Sequence, residues 1–539
     1  MFCHFSGKAQ NYVLTVEYLD SFNAKAKFPS LDNLGKEPTN ALNELMSYWI
    51  ENGHLAMFYN LIQIDSTNYR AEITIGSKYG ELLIDTADIP NDWPLRYQLK
   101  KGAKLSINQW RDYRNLLIDY AVNNGYPFAE VKLTHLKRIG NSLLAHVQLD
   151  LSKKFAYGQI ALARDVNLNL RFLSAYLDVE KGHVYKHKSV LDISRKLSNL
   201  SFVVVNAAPK VLYLYTGEAA IILDLTVKKN SSANGLVAIA QATNPADPPL
   251  ITGEFDLNLR NLAGNGIAFN FHFERFRPQS QAINLDASLP YLFGKPYEID
   301  GGFELNRFDS TFFTLKSNIG ASYLFSSQKK IRLYYDYEQV STNNTQISES
   351  EQINVNGYGL GGFFNFQDRL YNPTVGLKTV FSLAIGNKTG TLRGEEIQNI
   401  NYKYRATLNY VLPIYGKLVF VPAIQTRGVV DQTFVQGQAI WVGGFSNFRA
   451  YNQNSLPVQH FQLFTADFRW LVNSISYANL FTEYIQYQLL ALNGNALGYG
   501  VGYNFGIGNG IFSINYAIPA QNGFSITNGI LNFGVASYF

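Results

Sequence analysis

The sequence predicts two architectures in series: α+β repeats of β-α-α-β-β order, then a sixteen-stranded antiparallel transmembrane β-barrel. Three observations predict this. From residue 235 to Phe539, segments of roughly ten residues alternate apolar and polar character between turns. Residues 11–230 repeat one order of short strands and helical stretches three times. No run of about 18 apolar residues exists, so no helix crosses a bilayer, and barrel strands are too short and too alternating to appear on a hydropathy scan.

Composition agrees. Charged residues make up 16% of the chain, against about 25% in soluble domains. Aromatics reach 14%, with 35 Tyr and 37 Phe, residues suited to strands and membrane interfaces. A net charge of +5 over 539 residues, with no long basic run, does not point to nucleic acid. The single Cys3 excludes an internal disulfide and a Cys-based metal cluster. Residues 1–10 (MFCHFSGKAQ) place Gly7 and Ala9 as the small pair of a cleavage site and read as an export-signal remnant; the alternative is a disordered N-terminus.

Repeat 1 (11–78) is read as Tyr12–Tyr18, Leu31–Leu34, Asn40–Asn52, Leu55–Ile64 and Tyr69–Gly76. Repeat 2 (79–153) has a strand at Glu81–Asp85, a helical region at Trp93–Leu99 and a longer helix at Ile107–Asn124. Trp110, Leu117 and Ala121 share one face of that helix, and Gly125 ends it. Strands Phe128–Arg138 and Ser142–Leu151 follow across Gly140-Asn141. Repeat 3 (154–230) is read as Phe155–Ala163, Leu170–Leu177, Val190–Leu200, Phe202–Tyr213 and Ala219–Lys228. One larger α+β domain is the alternative to three modules.

A polar linker, Lys228–Asn234, leads to the barrel at 235–539. In Tyr404–Leu412, Tyr404, Ala406, Leu408, Tyr410 and Leu412 point one way and Arg405, Thr407 and Asn409 the other. Ile331, Leu333, Tyr335 and Tyr337 stand likewise against Arg332, Asp336 and Glu338. Short turns fall at Asn261–Gly266, Phe293–Pro296, Ser326–Lys330, Asp368–Gly376, Pro413–Lys417, Val472–Ser476 and Gly506–Gly510. Eight longer loops lie between them, including Asn387–Gln398 and the longest, Val430–Phe461. An even strand count allows closure, which removes exposed edges.

Several stretches resemble the superfamily of outer-membrane assembly and secretion pores that includes BamA and TamA, with polypeptide-transport-associated (POTRA) repeats before a sixteen-stranded barrel. Asp256–Gly266 (DLNLRNLAGNG) resembles its first periplasmic hairpin, Pro290–Pro296 (PYLFGKP) the next, Tyr371–Gly376 (YNPTVG) its Asn-Pro-x-x-Gly turn, and Leu497–Pro519 its penultimate strands. Val442–Tyr451 (VGGFSNFRAY) resembles the lumenal loop, with Gly443 and Gly444 as the glycine pair and Arg449-Ala450-Tyr451 as the tip. Ala450 stands where the family has glycine, so a tip requiring positive φ would be strained. Three repeats favour the TamA-like branch of this bacterial surface antigen family.

The resemblance implies an outer-membrane protein with its repeats in the periplasm, acting in membrane protein insertion or protein translocation. It implies unfolded client proteins and outer-membrane lipids as partners, with a periplasm-spanning TamB-like subunit if that branch holds. Arg449 is expected to pair with lumenal acids Asp467 and Glu483; the alternative is a solvated loop arginine. In the last strand Leu531, Phe533, Val535 and Phe539 form one face, with Asn532, Gly534, Ala536 and Tyr538 on the other. This terminal strand reads as a barrel-insertion signal and as one side of a seam with Gly235–Ala242 that opens sideways. A two-partner secretion pore or a passive porin-like channel is the other reading.

No catalytic, cofactor or metal site is expected. His183 and His187 lack an acid at ligand spacing, and there is no G-x-S-x-G or P-loop. The glycine run Gly357–Gly362 lies in strand sequence, not before a helix. His272 faces the lumen with Asn270 and Glu274.

Overall fold

The computed structural model describes residues 2–5, 13–19, 38–66, 68–94, 103–140, 142–228, 231–240, 250–277, 280–308, 312–343, 350–369, 372–392, 394–445, 447–452, 455–489, 492–507, 510–520 and 528–537. The chain divides into two compact units. One comprises Met1–Gly158, Lys181–Val190 and Tyr213–Ala220; the other comprises Gln159–Glu180, Leu191–Leu212 and Ile221–Phe539.

In the first unit, β1 (Phe2–Phe5), β2 (Val13–Tyr18), β3 (Phe58–Gln63) and β4 (Asn68–Thr74) form a sheet of order β1-β2-β4-β3, with β2 parallel to β4. Helix α1 (Pro38–Glu51) lays Leu42, Leu45 and Trp49, spaced for one face, into the same core as Val16, Ala71 and Ile73. The stretch expected at Leu31–Leu34 lies outside the described residues.

The next sheet repeats the pattern. Strands β5 (Glu81–Asp85), β6 (Ala103–Leu105), β7 (Glu130–Ile139) and β8 (Ser142–Asp150) run in the order β6-β5-β8-β7, with β5 parallel to β8. Helix α2 (Ile107–Asn123) starts on a reciprocal Ser106–Gln109 capping box and stops before Gly125, whose φ is +97°. Trp110, Tyr113, Leu117 and Ala121 bury its inner face. The expected helical region at Trp93–Leu99 is described only to Pro94, where Trp93 N–H closes a turn on Pro90 O. Strand β6 was not anticipated, because three residues are too few to show a period.

The residues expected to form a third repeat, 154–230, hold β9 (Ala156–Leu162), α3 (Leu170–Leu177), α4 (His187–Leu191), α5 (Ile193–Ser198), β10 (Val203–Val205), β11 (Lys210–Tyr213), β12 (Glu218–Leu223) and β13 (Leu225–Val227) and are divided between the two units. Each of the last two predicted strands is split in two. Pro209, which has no N–H to give a ladder, stands in the first gap. Within the second unit, α3 meets the first turns of the large sheet. Phe172 and Tyr176 pack edge-on to Tyr291, and the Phe172 ring fills the place of a Cβ at Gly266. Lys295 pairs with Glu180 at 3.0 Å.

The rest is one sixteen-stranded antiparallel meander. Its strands are β14 (Ser232–Ala240), β15 (Leu250–Leu262), β16 (Ile267–Arg277), β17 (Ser280–Leu289), β18 (Tyr297–Phe308), β19 (Phe312–Ser326), β20 (Lys329–Asn343) and β21 (Ser350–Asn365). They continue as β22 (Gly376–Leu392), β23 (Glu395–Tyr415), β24 (Leu418–Val430), β27 (His460–Leu471), β28 (Tyr477–Leu489), β29 (Leu492–Ile507), β30 (Gly510–Pro519) and β31 (Ile530–Ser537). Between β24 and β27 a small hairpin, β25 (Ile440–Val442) and β26 (Leu456–Val458), stands apart.

Two expectations need correction. Asn387–Gln398 is strand on both sides of Arg393-Gly394: β22 and β23 stay paired from Gly376↔Val411 to Leu392↔Glu395. The apolar-polar alternation fades there while the backbone ladder continues, so the sequence reads as loop. Closure is the second: among the described residues no ladder joins β14 to β31.

Candidate functional site: a strap on the inner face of the rolled sheet

The sheet has two chemically opposite faces. Outward, Ile319 (59% exposed), Leu333 (64%), Leu383 (59%), Leu480 (59%) and Phe533 (67%) stand bare. Inward, charges pair: Lys330 with Glu298, Arg332 with Asp300, Lys403 with Asp336 at 2.7 Å and with Glu338 at 2.9 Å. The Lys403 pairs join strands three positions apart, roughly 14 Å on a flat sheet, so the sheet is rolled about this face. Small residues make the bend possible. Gly357, Gly359 and Gly361 of β21 lie opposite Gly386, Ala384 and Ser382 of β22. A Cβ at Gly357 would stand 2.5 Å from Asp336 Oδ1, and one at Gly359 2.2 Å from Tyr334 Cζ. Gly357, Gly359 and Gly361 therefore form a trough on the interior wall.

The connection from β24 to β27 folds into this interior and is fixed at both ends. At its start, the Lys388 ammonium of β22 is fully buried with Asp431 at 2.7 Å and also donates to Gln438 Oε1 at 2.9 Å. Asn401 donates to the same Asp431 oxygen, and the Thr433 N–H to the other. Val435 joins Val340, Ile353 and Val355 in a buried cluster. At the far end, Gly443 has φ +117°, and a Cβ there would lie 2.1 Å from Asn452 O, so only glycine fits. Asn447 Oδ1 accepts from Gly443 N–H and Phe448 N–H, both at 2.7 Å, which folds the tip back on itself.

That fold presents Arg449. Its Nε donates to Glu483 Oε1 at 2.7 Å, its backbone N–H donates to Glu483 Oε2 at 2.9 Å, and its guanidinium lies 3.4 Å from the Phe481 ring centroid. Glu483 is 3% exposed, so the pair is charge-assisted and largely dry. Asp467, expected as a second partner of Arg449, bonds Arg469 Nε and Asn479 Nδ2, each at 3.0 Å. Arg469 is two residues along the same strand and reaches Asp467 first. Ala450 is absent from the described non-glycine residues of positive φ, so the tip carries no strain there. It is 1% exposed, over Gly498. Tyr451 meets Phe448 edge-on at 4.9 Å.

The last strand also holds the strap. Asn532 Nδ2 donates to Arg449 O at 3.0 Å, and Phe445 occupies the space beside Gly534. Leu531 points outward, 53% exposed; the Val535 side chain and Phe539 lie outside the described residues. Sequence reasoning missed Lys388, Asp431, Phe445 and Asn532. Asn532 and Gly534 were on the correct face, which was the available signal; Lys388 lay in a segment read as loop. One group of described residues has the donor set for a divalent cation, Glu254, Asp256 and His272, where the His272 ring and Asp256 are 2.7 Å apart.

No protein-family model and no curated protein matches the sequence. Solved structures do match in fold. CdiB from Escherichia coli aligns with a TM-score of 0.52 at 14% identity, over 85% of this chain and 90% of its own. CdiB from Acinetobacter baumannii gives 0.51 at 11%, over 85% and 89%. BamA from Haemophilus ducreyi lacking POTRA domains 1–3 gives 0.47 at 13%, over 85% and 98%. This chain shares the CdiB fold.

Proposed function

We propose that the chain is an outer-membrane protein of the BamA/TamA-like superfamily that inserts or translocates other proteins and is not an enzyme. The observation that carries this reading is the inverted polarity of the large sheet. Large apolar side chains are exposed outward on strand after strand, and ion pairs and a pinned strap face inward. A water-soluble monomer rarely exposes so extensive an apolar surface; hydrocarbon contact accounts for it. The lack of a ladder between β14 and β31 among the described residues supports a lateral seam, where unpaired backbone groups would template a client strand by β-augmentation. The N-terminal sheets are read as three periplasmic POTRA repeats, at 11–78, 79–153 and 154–230, that offer edges to unfolded clients. Three repeats favour the TamA-like branch and a periplasm-spanning TamB-like partner.

The test uses the purified full chain in liposomes. Accelerated membrane insertion of an unfolded barrel client supports the proposal. Solute-driven swelling with no effect on clients identifies a passive channel, and release of a single dedicated exoprotein identifies a two-partner secretion pore. Cysteines placed in β14 and β31 and oxidised to a disulfide should abolish insertion; full activity in the locked protein refutes lateral opening.

A further inference from the structure

The interior cavity between β17 and β24, about 720 Å³, is lined by six basic side chains: Lys316, Lys330, Arg332, Lys403, Arg405 and Arg427. Four have carboxylate partners. Lys330 pairs with Glu298, Arg332 with Asp300, Lys403 with Asp336 and Glu338, and Lys316 with Glu338 at 3.7 Å. Arg405 and Arg427 differ. They are direct register partners on β23 and β24 and face the same cavity. Among the described residues neither side chain has a carboxylate within 4.0 Å or a hydrogen bond. Their neighbours in the ladder, Lys403↔Val429 and Thr407↔Gln425, bring no negative charge.

Like charges directly opposite each other, with Cβ atoms about 4.5–5.5 Å apart, destabilise a sheet. Asp336 and Glu338 are already committed to Lys403. Two guanidinium forks with five donors each therefore face one cavity without a carboxylate at ion-pair distance; Glu304 and Glu338 attract Arg427 only from beyond 4.0 Å.

We propose that Arg405 and Arg427 form a binding site for a dianionic phosphate, either orthophosphate or a phosphate monoester. The donor count decides the class: a phosphoryl group offers three oxygens to two forks, whereas the two oxygens of one carboxylate are taken up by a single fork. Planar forks match phosphate oxygens in bidentate geometry. The cavity has room for the remainder of a monoester beside the phosphoryl group. Asp286 and Glu304, on the wall formed by β17 and β18, line the same cavity and disfavour a second anion. The site is independent of whether the protein handles clients.

The experiment is calorimetric titration of the full chain in phosphatidylcholine nanodiscs with inorganic phosphate and with glycerol 1-phosphate. A parallel arm uses nanodiscs containing phosphatidic acid. Saturable binding of one equivalent is expected. It should weaken at least tenfold in R405Q and in R427Q, and for glycerol 1-phosphate about tenfold from pH 7 to pH 5, because the second ionisation of a monoester lies near pH 6. Sulfate, dianionic throughout, should compete at both pH values, which separates ligand protonation from titration of Asp286, Glu304, Asp336 or Glu338. Binding in phosphatidylcholine nanodiscs identifies a soluble phosphate. Occupancy seen only with phosphatidic acid, and lost in R405Q, identifies a lipid headgroup. No saturable binding to the unmodified chain in either arm overturns the proposal, as does undiminished affinity in the R405Q/R427Q variant. Should a Gln variant fail to fold, R405K/R427K keeps the charge but not the forks and should still bind at least tenfold more weakly.

Discussion

Replacing Arg449 by alanine tests the strap most directly. The substitution leaves Glu483, 3% exposed, with one partner, the backbone N–H of residue 449 at 2.9 Å. Deleting one member of a buried ion pair costs about 3–5 kcal/mol. The surviving backbone bond places R449A near the lower end, at about 3 kcal/mol. Loss of the guanidinium over Phe481 contributes about 1 kcal/mol more. In E483A the arginine is left instead, and at 12% exposed it lies close to interior water, so that variant costs about 1–2 kcal/mol. R449A/E483A should cost little more than R449A alone, a coupling of about 1–2 kcal/mol in the double-mutant cycle. The assay is urea unfolding of the full chain in lipid vesicles, paired with single-channel conductance. A loss of about 3 kcal/mol multiplies the released-strap population more than about a hundredfold, so R449A should conduct in long openings where the unmodified chain is quiet. A coupling below about 0.5 kcal/mol with unchanged conductance refutes the pinned strap.

Three further outcomes are expected. Lys388→Met strands the fully buried Asp431 and should cost about 3–5 kcal/mol in the same unfolding assay, most of it restored by adding Asp431→Asn. Gly359→Val drives a side chain into Tyr334 and should cost about 1–3 kcal/mol, whereas Gly416→Val, in a turn with open space beside it, is read for local backbone strain without that clash. His146 is held protonated above its ordinary range by hydrogen bonds to Asp88 and then Asp85, at 3.0 and 3.2 Å. Its folded pKa exceeds the unfolded value of about 6.5, so its stabilisation is complete below that pH and is lost as pH rises through the raised folded value. Hydrogen exchange across residues 142–150 of the full chain should therefore speed up over that window more than the intrinsic rate does, and His146→Gln should remove the excess.

The large sheet was legible because its signal repeats. Period-two alternation, turn chemistry and an even strand count each recur many times, and a missed hairpin would break the pattern. Predicted turns such as Asn261–Gly266 and Val472–Ser476 separate observed strands. Features that depend on distance in space were less legible. Lys403 and Asp336 are 67 residues apart, and nothing local marks them as neighbours. Arg449 and Glu483 became visible only through the resemblance of VGGFSNFRAY, and Asp467 followed as a candidate although Arg469 stands two residues from it. The far end of β22 was unreadable for a different reason: its inner face is buried through a polar contact, Lys388 on Asp431, so no apolar-polar alternation marks a strand whose backbone hydrogen bonds continue.

The two ends of the strap differ in a way that sets the order of release. At the base, Lys388 and Asp431 are fully buried, and their remaining valences are met by Thr433, Gln438 and Asn401. Separating them strands two charges away from water. At the tip, Arg449 is 12% exposed and borders a water-accessible cavity, so its guanidinium can exchange Glu483 for water at lower cost. The same displacement removes the acceptor of Asn532 and withdraws Phe445 from Gly534, both on β31. That strand has a ladder partner on one side only, β30, among the described residues. Tip release therefore frees the interior and loosens the end strand in one step, while the base stays in place to guide the strap back. The order is measurable: R449A should speed hydrogen exchange across residues 530–537 and leave residues 431–440 protected, and Lys388→Met should do the reverse.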